Sequence, residues 1–123
     1  MKIQESAENY LETILMLRQK NGFVRSIDIA HELGYSKASV SVAMKSLRES
    51  GYVVVNDDGG ISLTDTGSEI ANKMYERHEL IADVLISLGV DRDTAYEDSC
   101  KIEHVISNET FEKIKEYVEN LRK

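Results

Sequence analysis

Apolar residues in the first part of the chain recur at spacings of three and four. Ala7, Tyr10, Leu11, Ile14 and Leu15, with Arg18 continuing the row, form the stripe of an amphipathic helix over residues 5–20, and Asn21-Gly22 supplies its stop. The segment SIDIAHELGYSKASVSVAMKSLRESGYVVV predicts a short helix over 27–33, capped by Ser26 and broken by Gly34. A second helix, capped by Ser36, follows and runs to about Ser50. The period then changes: Val53-Val54-Val55 and Ile61-Ser62-Leu63 are β-rich triplets flanking Asp57-Asp58-Gly59-Gly60, the pattern of a hairpin. Thr64-Asp65-Thr66-Gly67 offers caps for a long helix with Ile70, Met74, His78, Ile81, Leu85 and Leu88 on one stripe, ended by Gly89. Residues 92–107 have the look of a further helix. Ser107 or Asn108 caps a last one, whose apolar face is Phe111, Ile114, Val118 and Leu121.

Two helices joined by a glycine turn and followed by a hairpin make a winged helix-turn-helix. The fold class expected is therefore mainly α: a winged helix-turn-helix with a small two-stranded wing over residues 1–64, and a connector with an α-helical dimerisation lobe over 65–123. The 123 residues suffice for two small lobes sharing a long helix, and there is no internal repeat, low-complexity tract or proline. The last apolar stripes have little in the chain to cover them, which points to a homodimer.

A hydrophobic fraction of 41% with 30% charged residues is ordinary for a globular protein, and no apolar run approaches the roughly 18 residues of a membrane span. The segment MKIQESAENYLETILML carries acids and no small-residue cleavage site, so no secretory signal is expected. The lone Cys100 can form no internal disulfide and fits a reducing compartment. The cytoplasm is the expected location. A net charge of −7 is unfavourable for binding phosphate, but the distribution reverses the inference. Six bases between Arg18 and Arg48 face only Asp28 and Glu32, whereas residues 65–123 hold fourteen acids against eight bases. No GxSxG, phosphate-cradling glycine loop, HExxH or CxxC is present, so neither catalysis nor a small-molecule substrate is expected.

Two sets of residues carry candidate chemistry. Ser36, Lys37, Ser39 and Ser41 fall in the first turns of the second helix of the motif, where a recognition helix meets base edges and nearby phosphates; Arg25, Lys45 and Arg48 suit phosphates. The same serines would also serve as caps, and the same cations as solvated surface charges. Cys100, Glu103 and His104 stand at i, i+3 and i+4, one face of one helical turn. Thiolate, carboxylate and imidazole together favour iron(II), cobalt, nickel or zinc over manganese, although a lone cysteine also fills cores. His78 lies on an apolar stripe, either as a ligand or as a buried, hydrogen-bonded imidazole. Glu8, Asn9 and Glu12 add oxygen donors on the first helix.

Taken in order, SAENYLETILML, the helix-turn-helix segment, GISLTDTGSEIANKMYERHELI and CKIEHVIS give the chain its identity as a whole: it resembles the diphtheria toxin repressor family of metalloregulators, which includes iron-dependent repressors and manganese transport regulators. The likeness spans nearly the whole sequence. It implies a homodimer whose winged helix binds double-stranded operator DNA near metal-uptake genes when metal is plentiful. It makes His78, Glu103 and His104 metal ligands, with Glu12 added if the manganese-type site applies. Cys100 falls where iron-type members carry cysteine and manganese-type members glutamate. Asn9 replaces an aspartate or methionine, Ala82 an acidic helper, and Tyr96 an ancillary histidine, so a full ancillary site is not expected. Asp83, one position from Ala82, points about 100° away around the helix. The SH3-like third domain of iron-type members has no counterpart in the sequence.

The function expected is a metal-activated repressor controlling metal-ion homeostasis, with iron(II) or manganese(II) as the family's corepressors. One ion touching Glu12 on the first helix and His78 with the Cys100 group farther on would tie the lobes together and set the separation of two recognition helices. The alternative is a winged-helix regulator on the same dimer scaffold that no longer responds to metal; a third reading is a protein-interaction module. Converting Cys100 to glutamate is expected to move metal preference toward manganese, and Cys100→Ala to weaken iron, cobalt and zinc alike, read as reordered midpoints in a metal titration. Unmoved midpoints in Cys100→Ala would make Cys100 a core thiol.

Overall fold

The computed structural model describes residues 5–121 and divides into two compact units between Lys73 and Met74, inside a helix. In the first unit, α1 (Glu5–Asn21), α2 (Ser26–Leu33) and α3 (Lys37–Glu49) are followed by the hairpin β1 (Val53–Val55) and β2 (Ile61–Leu63) and by the start of α4 (Asp65–Ser87). The strands pair antiparallel, Val53 with Leu63 and Val55 with Ile61. One core serves all of these elements. Leu11, Ile14, Val24, Ile29, Val40, Val53, Ile61 and Ala71 have essentially no exposure. Each fully buried side chain the size of Leu11 or Ile14 contributes about 1.5–3 kcal/mol relative to leaving it in water. Arg18, last in the stripe of α1, donates to the Ile61 carbonyl and the Ser62 hydroxyl, both at 3.2 Å, and so pins α1 to β2.

Local chemistry accounts for most of the boundaries. Gly34 ends α2 with φ +70°, a left-handed conformation that a side chain resists, and its N–H returns to the Ala30 carbonyl. Ser36 caps α3 by accepting the Ser39 N–H. At α2 the expected cap is displaced by one residue. Ser26 is the first helical residue, Arg25 occupies the cap position, and the Asp28 carboxylate accepts the Arg25 N–H at 2.9 Å, because an acid at the third helical position is placed to reach back. Thr64 caps α4 by accepting the Gly67 N–H, and its own hydroxyl donates to the Gly51 carbonyl at 2.7 Å.

The second unit comprises the rest of α4, α5 (Arg92–Ile102) and α6 (Asn108–Leu121). Asp91 caps α5 and Ser107 caps α6, the latter by accepting the Thr110 N–H at 3.0 Å. The helix expected to run to residue 107 stops at Ile102. Val105 and Ile106 both return their N–H groups to the Ile102 carbonyl, which closes the chain into a turn before Ser107 restarts it. Met74, Ile81, Ala82, Ala95 and Phe111 are buried. Ile114 and Val118 are only partly covered, while Leu88 and Leu121 are 75% and 71% exposed beside a groove of about 530 Å³. No helix among the described residues is long and apolar enough to cross a membrane.

A Cβ at Gly67 would lie 2.0 Å from the Tyr52 carbonyl oxygen, itself bonded to the Thr64 N–H. Gly67→Ala is therefore expected to cost about 1–3 kcal/mol in chemical denaturation, because backbone rather than a flexible side chain has to move. Wild-type stability would mean that the start of α4 and the Tyr52 backbone lie farther apart.

Candidate metal centre and nucleic-acid face

Glu103 has no exposure to solvent, yet it carries an ionisable carboxyl. Its Oε2 lies 3.2 Å from Nδ1 of His78, and its Oε1 lies 3.2 Å from Nε2 of His104. The His104 imidazole is itself buried. A carboxylate withdrawn from water is costly unless paired, and here an imidazole stands at each oxygen. A carboxylate oxygen and imidazole nitrogens are donor types that first-row divalent transition ions accept, so the chemistry of these residues fits such an ion.

The supporting contacts come from α4 and α5. The Ser99 hydroxyl, without exposure, donates to the His78 carbonyl at 2.5 Å. Tyr96 packs its ring against the His78 imidazole, 5.3 Å between centroids, and its hydroxyl donates to Glu79 Oε2 at 3.0 Å. Ala82 on α4 and Ala95 on α5 have no exposure. Arg77 places its guanidinium on the turn after α5, donating to the carbonyls of Glu103 and Ile106.

The other expected ligands are placed as follows. Cys100 is half-buried in the last turn of α5, and Glu103, the residue that ends the helix, still donates its N–H to the Ser99 carbonyl at 2.9 Å, so Cys100 and Glu103 share that α-turn and His104 follows it. Among the described residues, no set of three with all ligand atoms within 4.8 Å of one another includes Cys100 or His78. Asn9 is half-buried and Glu12 buried, both on α1 in the first unit. Ala82 is buried, Asp83 is exposed, and the Tyr96 ring lies beside that of His78. Sequence reading missed the roles of Ser99 and Arg77. Arg77, flanked by Glu76 and His78, carries no local signal of its burial.

On the first unit, α3 buries Val40, Met44 and Leu47 and exposes Lys37, Ala38, Ser41, Val42, Lys45 and Arg48. Ser36 and Ser39 are also exposed, but their hydroxyls bond each other at 2.9 Å and serve the start of the helix. Arg25 stands beside the wing, its guanidinium 5.0 Å over the Phe23 ring, and that ring abuts Gly60. Val42, 71% exposed in the middle of the outward face, was not singled out from sequence because helical periodicity alone does not tell an outward valine from a core one.

Residues 2–61 match the model of the iron dependent repressor N-terminal DNA binding domain, and residues 64–123 that of its metal binding and dimerisation domain. The chain belongs to the iron dependent repressor family. It is accordingly a DNA-binding, metal-responsive transcriptional regulator and not an enzyme. It is 37% identical to the HTH-type transcriptional regulator MntR of Shouchella clausii over 93% of this chain and 80% of that one. An uncharacterised HTH-type transcriptional regulator of Methanocaldococcus jannaschii is 34% identical over 98% of both. The solved structure of the manganese regulator SloR superposes with a TM-score of 0.80 at 26% identity, over 97% of this chain and 55% of the longer one.

In this member of the family, the hydrogen bond to Glu79, aided by burial and nearby negative charge, holds the Tyr96 phenol above its usual 10.0. Its stabilising contribution is thus complete below pH 10 and lost as pH rises through the higher folded value. In an NMR titration the Tyr96 ring should deprotonate above pH 10, and Glu79→Gln should bring the midpoint down. An unmoved midpoint would show that the Tyr96–Glu79 bond does not form in solution.

Proposed function

We propose that this chain is a metal-activated repressor acting in the cytoplasm as a homodimer on double-stranded operator DNA of metal-homeostasis genes. The observation that carries this reading is the fully buried Glu103 carboxylate with an imidazole at each oxygen. His78, Glu103 and His104 are assigned as ligands. Glu12 and Asn9 of α1 are assigned to the same ion from the family likeness, and Cys100 as the donor that sets metal preference. When bound, a divalent cation supplies the positive charge that keeps a buried carboxylate ionised beside neutral imidazoles. Glu103 holds the two imidazoles, Ser99 and Tyr96 hold His78, and Asn9 contributes an uncharged oxygen where a manganese-type site has an acid. Relatives named for manganese support manganese(II) as a candidate, and the thiol of Cys100 supports iron(II), cobalt or zinc.

Lys37 and Ser41 on the outward face of α3, with Ser36 and Ser39 at its start, are assigned to base edges and nearby phosphates, and Arg25, Lys45 and Arg48 to phosphates. The exposed Leu88 and Leu121 along the α4 and α6 groove support a second copy as partner.

The deciding experiment is gel-shift binding to a duplex selected from random sequence, with manganese(II), iron(II), cobalt(II) or zinc(II) and with chelator. Binding that needs metal supports the proposal. Binding indifferent to chelator would favour the regulator that has lost metal control, a reading to which the Tyr96 ring beside His78 lends weight. Lys37→Ala and Arg48→Ala should each weaken binding and lower the salt slope by about one, since each removes up to one phosphate contact. Unchanged affinity and slope would remove both from the interface.

A further inference from the structure

Consecutive residues of α4 hold Glu103 from two directions. His78 meets its carboxylate, while Arg77, about 100° further around the helix, reaches its main chain. Nη1 of Arg77 donates to the carbonyl of Glu103 at 3.1 Å and to that of Ile106 at 3.3 Å, and Nη2 donates to Oδ1 of Asn108 at 3.3 Å. The guanidinium lies 5.2 Å over the Phe111 ring and the residue is 6% exposed. A buried guanidinium is tolerated when its N–H groups are bonded; here Nη1 and Nη2 go to carbonyl and amide oxygens of one short segment, while Nε has no hydrogen-bond partner among the described residues. That segment is the turn that follows α5, closed by the Val105 and Ile106 N–H groups on the Ile102 carbonyl.

We propose that Arg77 is a positioning residue of the metal centre. By gripping the backbone of the 103–106 turn and the first residue of α6, it sets where Glu103 and His104 present their donors, although it touches no ligand atom. The inference rests on the metal reading above. The planar fork matters: guanidinium reaches two carbonyls and an amide at once, and a lysine ammonium on a flexible stem does not reproduce that geometry. Outer contacts of this kind typically alter metal affinity by roughly 10–100-fold.

The test uses the full chain with cobalt(II) as the probe, read by its visible absorption bands, and amide hydrogen exchange of the metal-free protein. Glu103→Ala should abolish the cobalt spectrum. Arg77→Gln should weaken cobalt binding by roughly 10–100-fold, shift the bands, and speed exchange of the Val105 and Ile106 amides while leaving helicity unchanged. Arg77→Lys, which keeps charge and stem, should fall between, and Asn108→Ala, which spares both carbonyl bonds, should lose less. Wild-type affinity, bands and exchange in Arg77→Gln overturn the proposal. If Arg77→Gln does not fold, wild-type values in Arg77→Lys overturn it instead. A wild-type chain that shows no cobalt bands, or a Glu103→Ala chain that keeps them, overturns the metal reading and the positioning role with it. Retained wild-type bands that Glu103→Ala removes and Arg77→Gln leaves intact overturn the positioning role alone.

Discussion

A carboxylate that has lost all contact with water has to be compensated where it sits, and in this chain the second unit is organised around that requirement at Glu103. Removing an ionised carboxylate from water costs several kcal/mol even after relaxation, more than one neutral hydrogen bond returns. Two imidazoles, one at each oxygen, meet the need in part. The position of His78 in turn depends on α5, whose Ser99 hydroxyl bonds its carbonyl and whose Tyr96 ring packs against its imidazole. The same concentration of donors that makes the site expensive as bare protein makes it receptive to a divalent cation.

The first unit solves a different problem. Its ligand is a polyanion outside the protein, so its cations must stay on the surface while its apolar residues close one core. α3 does both: Val40, Met44 and Leu47 turn inward, and Lys37, Ser41 and Lys45 turn outward on a face that the short wing flanks in sequence. Basic residues are concentrated in the helix-turn-helix while the rest of the chain is acidic, so attraction to phosphate is local. Family membership, the two domain matches and the exposed face agree on a DNA-binding regulator.

α4 belongs to both units, carrying Gly67 against Tyr52 near its start and Arg77 with His78 farther on. Three of its positions are constrained from outside the helix. Gly67 answers to a backbone carbonyl, Arg77 to a turn nearly thirty residues away in sequence, and His78 to a buried acid.

The sequence by itself determined the order and type of the elements, because helical period, β-rich triplets around Asp-Asp-Gly-Gly and the capping hydroxyls at Ser36, Thr64 and Ser107 are local signals read within a few residues. It also named the chemistry of the site, since carboxylate and imidazole announce themselves by type. Tertiary structure alone decided where α5 stops. Nothing local to Ile102 reveals that Arg77, from another helix, collects carbonyls of the turn that follows. It likewise decided that Asp28 rather than Ser26 supplies the bond at the start of α2, that Ser36 and Ser39 bond each other, and that Val42 faces outward. Each of these turns on which groups compete for one donor or one face in space. Residue spacing along a chain does not contain that information.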